Sequence, residues 1–314
     1  MVSVAACPDG AACTDTEHRP RRQRRFATLR SISRIARPVR AAVMCLFVTA
    51  CERGASTTEM RDAQLALGTA AYPSGQAADC DPVRRDGPPG RTNGIRSRDG
   101  VGYVVRTPSN YDARLRHPLL MVFAPAATDA ETSERVAALT MTATSSGYVV
   151  AYADHIPLGP RGAKVLGRIP GEIGARWCID PQRVFLTGHS DGGTVAEVVA
   201  VDADSRDGVA GIAPSAAGIV ASDLSGYGCR TPIPVMVMHS RDDTWFPGFG
   251  EDAARWWAAC NGCAPGNPEP GADGCRRFAN CRAPTVYCEA RGPHIRWAGR
   301  GEAIVNFFAE RGRR

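Results

Sequence analysis

Residues 184–200 read VFLTGHSDGGTVAEVVA. An apolar run, Val184 to Thr187, leads into Gly188-His189-Ser190-Asp191-Gly192-Gly193, and a Val/Ala-rich run of helical character follows. The pattern G-x-S-x-G between a strand and a helix predicts a sharp turn that pushes the Ser190 hydroxyl out above a sheet edge. Glycines are needed on either side, because side chains at 188 and 192 would collide with neighbouring backbone in such a turn. A helix starting just beyond Ser190 aims its N-terminal N–H groups and the positive end of its dipole at that hydroxyl. The Asp191 N–H is then placed to donate to a developing oxyanion, an interaction whose removal costs roughly 3–4 kcal/mol in other enzymes.

Around this stretch, short apolar runs alternate with helix-like segments. Strands are expected at 101–106, 118–124, 148–153, 183–187, 209–214, 233–239 and 284–289, and helices at 131–144, 163–177, 191–203, 250–259 and 300–311. Ile304, Phe307 and Phe308 recur at helical spacing, as residues that pack on a core do. Strands alternating with helices predict an α/β fold: a mostly parallel sheet with helices on both faces. The chain has 314 residues, 44% hydrophobic and 22% charged, enough for a large core and unlike a disordered or collagen-like composition.

A serine is a weak nucleophile until a base takes its proton, and on such a sheet the partners follow in the order serine, acid, histidine. His239-Ser240-Arg241-Asp242-Asp243-Thr244-Trp245-Phe246-Pro247 follows an expected strand and offers two carboxylates at the sheet edge where active sites lie. His294, in Arg291-Gly292-Pro293-His294, is the histidine that is both late and in a loop after a strand. His18 lies in the leader, His117 precedes a strand, and His155 and His239 come too early or within the acid loop. His189 sits inside the turn, where its ring is expected to point away from Ser190.

Residues 1–50 carry nine Arg against Asp9, Asp15 and Glu17, which accounts for the whole formal charge of +6. The remainder is balanced, so nucleic acid is not expected as a partner. Residues 37–51, RPVRAAVMCLFVTAC, combine a basic flank with a ten-residue apolar run from Ala41 to Ala50, the size of a signal-peptide core and too short to span a bilayer. The run ends Val48-Thr49-Ala50-Cys51 and resembles a bacterial lipobox, which implies lipid attachment at Cys51 and an exported, envelope-anchored or extracellular chain. The expected organisation is a leader over 1–50, a tether and polar linker over 51–95, and a catalytic domain over 96–314. Beyond Cys51 stand eight cysteines: Cys80, Cys178, Cys229, Cys260, Cys263, Cys275, Cys281 and Cys288. An even number in an exported chain argues for up to four disulfides, with connectivity left open among 105 pairings. The alternative is zinc at Cys260-Asn-Gly-Cys263, although no second Cys-x-x-Cys supports it.

GHSDGG preceded by CIDPQRVFLTG, the HSRDDTWFP loop, CEARGPHIRW, the PSNYD segment and the Cys-rich stretch before His294 together resemble carbohydrate esterase family 1. That grouping includes feruloyl esterases and LpqC-type polyhydroxybutyrate depolymerase-like proteins, and the similarity covers about residues 78–312. The resemblance implies an α/β-hydrolase fold and a secreted serine esterase without cofactor or metal, acting on feruloyl or acetyl-polysaccharide esters or on hydroxyalkanoates. It implies Ser190 as nucleophile, His294 as base and Asp243 as acid, since Asp243 precedes Pro247 by four residues; Asp242 remains a competitor. One departure stands out. Where the family has His-Gly after the strand PLLMVF, this chain has Ala124-Pro125-Ala126-Ala127. Pro125 has no N–H, so the second oxyanion donor falls to Ala126, with Ala127 behind it. That loop motivates the rival expectation of a catalytically weak or inactive surface binding protein on a hydrolase scaffold. Trp177, Trp245 and Trp297 are expected either to pack in the fold or to line a cleft.

Overall fold

The protein is described from a computed structural model, which covers residues 57–309 apart from 73–79, 82, 84, 203–207, 272 and 298–300. The expected leader and the lipid-attachment position Cys51 lie outside the described residues.

All seven expected strands form, as β2 (Gly102–Arg106), β3 (His117–Phe123), β4 (Val149–Ala153), β5 (Ile179–His189), β6 (Val209–Ser215), β7 (Val235–Ser240) and β10 (Thr285–Ala290). Three more were not anticipated: β1 (Arg91–Arg96), β8 (Glu269–Pro270) and β9 (Cys275–Arg277). The ten join one sheet in the order β1-β2-β4-β3-β5-β6-β7-β10-β9-β8. The six from β4 to β10 run parallel, and antiparallel pairs flank them at both edges. Parallel strands covered on both faces must be apolar at successive positions, and β3, β4 and β7 are buried at every residue.

The helices are α1 (Thr57–Leu65), α2 (Ala130–Ala137), α3 (Thr140–Ser145), α4 (Pro160–Arg176), α5 (Asp191–Val201), α6 (Ala221–Ser225), α7 (Phe249–Cys260) and α8 (Gly301–Ala309). Alternate residues of β3 feed two cores. Leu119, Met121 and Phe123 share one with Ile169 and Ile173 of α4, Val195 and Val199 of α5 and Trp257 of α7. Leu120 and Val122 share the other with Leu139, Ala143 and the α8 residues Ile304, Phe307 and Phe308. The α/β-hydrolase fold expected from the sequence is the fold observed. Among the described residues no helix is long and apolar enough to cross a membrane.

Two expectations change. The single helix expected over 131–144 breaks at Ala138, which takes a left-handed conformation (φ 52°) and donates its N–H to Glu134 O. The break lets the Thr140 hydroxyl donate to the buried Glu134 carboxylate, which also holds Arg106 at 2.6 Å. The segment expected to be a tether up to residue 95 belongs in large part to the folded unit. Gly68 N–H donates to Thr144 Oγ1, Gly87 N–H to Arg176 O, Cys80 is bonded to Cys178, and β1 extends the sheet. An edge strand and a cross-linked coil are fixed by backbone hydrogen bonds and a covalent bridge, and neither leaves an apolar period in the sequence.

The eight cysteines form four disulfides, Cys80–Cys178, Cys229–Cys260, Cys263–Cys281 and Cys275–Cys288. Cys260 and Cys263 thus join different bridges, and the zinc alternative loses its ligand pair.

The strand register sets the site. Phe123 pairs with both Ala153 and Gly188, His189 with Ser215, and Ser240 with Ala290. The loops after β3, β4, β5, β7 and β10 therefore leave the sheet along one rim.

Candidate active site

At that rim β5 passes into α5 through Ser190 alone, whose backbone sits at φ 55°, ψ −119°. A non-glycine residue held there costs on the order of 1–3 kcal/mol, and such strain gathers at functional positions. The turn persists because its neighbours have no side chains. A Cβ on Gly188 would come within 2.3 Å of Gly192 C, and one on Gly192 within 2.0 Å of Phe123 O. Ser190 N–H donates to Ser215 O, and Ser190 O accepts from Thr194 N, which tie the turn to β6 and to the first turn of α5.

The structure brings Ser190, His294 and Asp243 together. His294 Nε2 is 2.8 Å from Ser190 Oγ, and its Nδ1 is 2.7 Å from Asp243 Oδ2. All three residues are buried. The Asp243 carboxylate also accepts, through Oδ1, the N–H groups of Trp245 and Phe246 at 2.9 and 3.0 Å. Burial by itself would raise its pKa, but the hydrogen bond from His294 and those two N–H donors outweigh burial and hold it below the ordinary aspartate value. With Nδ1–H given to a carboxylate, the lone pair of Nε2 faces the serine hydroxyl.

Asp242 points elsewhere. Its carboxylate accepts the Gly292 N–H at 2.9 Å, while the Ser240 hydroxyl donates to Gly292 O at 2.6 Å. The two adjacent aspartates thus divide their tasks: one faces the imidazole, the other holds the loop that carries it.

His189 bonds to Ser215 and to the His294 backbone, a role that sequence reasoning missed. Its Nε2–H donates to His294 O at 2.7 Å, and the Ser215 hydroxyl lies 3.1 Å from Nδ1. Burial lowers its pKa to about 4, so it stays neutral with a fixed tautomer. Trp297 stacks on its ring at 5.6 Å. The position of His189 inside the G-x-S-x-G motif was the available signal, but its partner lies 105 residues away. His239 donates its Nε2–H to Phe246 O, and burial lowers its pKa as well. His117 faces the carbonyls of Gly147 and Asp112 at the other end of β3.

The three tryptophans separate. Trp177 is fully buried and donates to Pro88 O, and Trp297 is buried beside His189. Trp245 is 63% exposed, with its indole stacked on the His294 ring at 4.6 Å.

Asp191 is the first residue of α5, and the absent side chain of Gly192 lets that helix end approach Phe123 O and Ala124 O. Ala126 lies in a tight turn closed by Thr128 N–H and Thr128 Oγ1 donating to Pro125 O. Ala127 takes φ 56° there, a conformation that usually calls for glycine. The Asp191 carboxylate is 2.9 Å from His155 Nε2.

The α/β-hydrolase fold thus presents a serine, a histidine and an aspartate in hydrogen-bonded series at its rim. Comparison with known proteins agrees at the level of the fold. The chain superposes on an acetyl xylan esterase from Aspergillus awamori (TM-score 0.53, 15% identity, 67% of this chain and 94% of the other). It also superposes on a truncated form of a carbohydrate esterase from gut microbiota (TM-score 0.51, 12% identity, 71% and 96%) and on fluorophosphonate-binding serine hydrolase F of Staphylococcus aureus (TM-score 0.50, 14% identity, 71% and 98%). In sequence, feruloyl esterase B of Piromyces equi is 24% identical over 213 residues, 57% of this chain. The chain spans about two fifths (39%) of the length of that curated relative. No family model matches the chain.

Proposed function

We propose that the protein is an exported serine esterase that hydrolyses carboxylic esters through Ser190, His294 and Asp243. The observation that carries the proposal is the continuous hydrogen-bonded series from Asp243 through His294 to Ser190 Oγ on a strained strand-to-helix turn. Ser190 Oγ attacks the ester carbonyl carbon as His294 Nε2 takes its proton. The carbonyl oxygen becomes an oxyanion that the N–H groups of Asp191 and Ala126 hold. The intermediate collapses, His294 returns the proton to the departing alcohol, and Ser190 is left acylated. Water, deprotonated by the same imidazole, then releases the acid. Asp243 keeps Nδ1 protonated throughout and stabilises the imidazolium that forms twice per cycle. The chemistry needs no metal or organic cofactor.

The substrate class proposed is an ester of a feruloyl or acetyl group on polysaccharide, or a hydroxyalkanoate ester. The sequence relative named a feruloyl esterase and the motif resemblance to carbohydrate esterase family 1 support it. So does Trp245, because a leaving alcohol must pass His294 Nε2 and the exposed indole lies over that ring. Four disulfides favour an oxidising compartment, in keeping with export and with anchoring through lipid on Cys51. The expected partners are the ester substrate and, through the lipid alone, the membrane.

Ser190→Ala is expected to abolish hydrolysis of p-nitrophenyl acetate; turnover that persists in the purified variant would remove the mechanism. The loop Ala124–Ala127 favours one rival, an inactive surface binding protein. A fluorophosphonate probe separates the two, since an esterase is labelled at Ser190 and an inert scaffold is not.

A further inference from the structure

We propose that His155 is a positioning residue that clamps together the two arms of the oxyanion hole and holds the Asp191 carboxylate away from the developing negative charge. The proposal rests on the esterase reading above and concerns a residue outside the Ser190–His294–Asp243 series.

The strand order places β3 between β4 and β5. His155 follows β4 and Asp191 follows β5, so their hydrogen bond spans the C-terminal end of β3, where the loop bearing Ala126 begins. His155 grips both neighbours at once. Its backbone N–H donates to Thr128 O at 3.0 Å, on the β3 arm, and its ring Nε2–H donates to Asp191 Oδ2 at 2.9 Å, on the α5 arm. The β4 end that carries it is itself pinned. Asp154 N–H donates to Gly102 O on β2, and Asp154 Oδ1 accepts the Ala130 N–H at the start of α2.

Two features of this chain make such a clamp necessary. The β3 arm lacks glycine and holds Ala127 at φ 56°, so its turn needs support from outside. The α5 arm carries a carboxylate on the very residue whose N–H faces the oxyanion. That side chain is only 24% exposed, so water screens it poorly. Left unpartnered, it could swing toward the reacting centre, and repulsion between like charges a few ångströms apart in such a site is large enough to slow a reaction by about tenfold or more. The bond to His155 turns the carboxylate toward β4.

The test is a double-mutant cycle on the full chain, with kcat and KM for p-nitrophenyl acetate, affinity for a phenylboronic acid that mimics the tetrahedral adduct, and thermal melting. His155→Ala is expected to lower kcat and weaken boronate binding by the same factor, about tenfold, with KM within about twofold. His155→Gln, which keeps an amide donor, should recover most of the loss. The double variant His155→Ala with Asp191→Asn should fall below Asp191→Asn by a clearly smaller factor than His155→Ala falls below wild type, because the charge to be held is gone and only the tie between the arms is cut. An unchanged kcat in His155→Ala, a loss confined to KM, or an equal loss in the Asp191→Asn background overturns the clamp while leaving the esterase reading intact. A wild-type protein that neither turns over esters nor binds the boronate overturns both.

Discussion

Asp242 and Asp243 are chemically identical neighbours, and their separation in role comes from a single turn. Asp243 bends back so that Oδ1 meets the N–H groups of Trp245 and Phe246, which leaves Oδ2 aimed at His294 Nδ1. Asp242 is left to fix Gly292. Asp243→Asn, which reverses the tautomer preference of the imidazole, is expected to lower kcat for p-nitrophenyl acetate by about 10⁴-fold. Asp242→Asn should cost about tenfold or less, because a backbone hydrogen bond is weakened and the imidazole keeps its partner. Steady-state kinetics on the two variants at pH 7 checks the assignment, and a larger loss in the Asp242 variant would reverse it. From the sequence, the resemblance favoured Asp243 through its spacing to Pro247, but the direction each carboxylate takes depends on which amides the turn exposes. His189 was harder still. A ring expected to point away from Ser190 gave no reason to suspect that it holds the His294 carbonyl.

At the scale of elements, α5 does two jobs. Its N-terminus begins directly after Ser190, and its body packs against β5 and β6 with α4 alongside in the larger core. Within that packing lies Glu197, fully buried, with Trp257 Nε1–H donating to Oε1 at 3.3 Å and Oε2 without a hydrogen-bond partner. Burial raises its pKa from 4.5 to about 8. The folded chain therefore keeps this proton over the interval from 4.5 to about 8, where the unfolded chain has released it. Stability present in full at lower pH is lost as the pH rises through that interval. Glu197→Gln, neutral at every pH, is expected to be more stable than wild type at pH 7, by up to about 3 kcal/mol, with the difference vanishing below about pH 4. Urea melts of both proteins across that range provide the check. The sequence showed a run of helical character over α5, but not that Glu197 in its middle meets Trp257 of α7 inside the core.

Across the whole molecule, the four disulfides distribute unevenly. Three lie within residues 229–288, around a segment rich in Gly and Pro that buries little by itself. The fourth, Cys80–Cys178, spans 98 residues and fastens the N-terminal segment beside the start of β5. Replacing both Cys80 and Cys178 by Ser is expected to cost about 2–4 kcal/mol. Because the bridge lies at the end of β5 opposite Ser190, kcat below the melting transition should stay close to that of wild type. Calorimetry together with the p-nitrophenyl acetate assay measures both. A matched loss of activity would show that the N-terminal segment shapes the rim.

The sequence by itself determined the seven apolar strands, most of the helices between them and the turn at Ser190, but not α1, α6 or the break at Ala138. Each of these signals is local: an apolar period, or glycines demanded by a contact a few residues away. It also ordered the serine, the acid loop and His294 along the chain. Only the tertiary structure decided which aspartate meets the imidazole, how eight cysteines pair, that residues 57–96 join the folded unit in large part, and that His155 reaches Asp191 across the end of β3. Those outcomes are set by strand order and register, which bring together side chains dozens to a hundred residues apart, and no pattern along the chain encodes that kind of proximity.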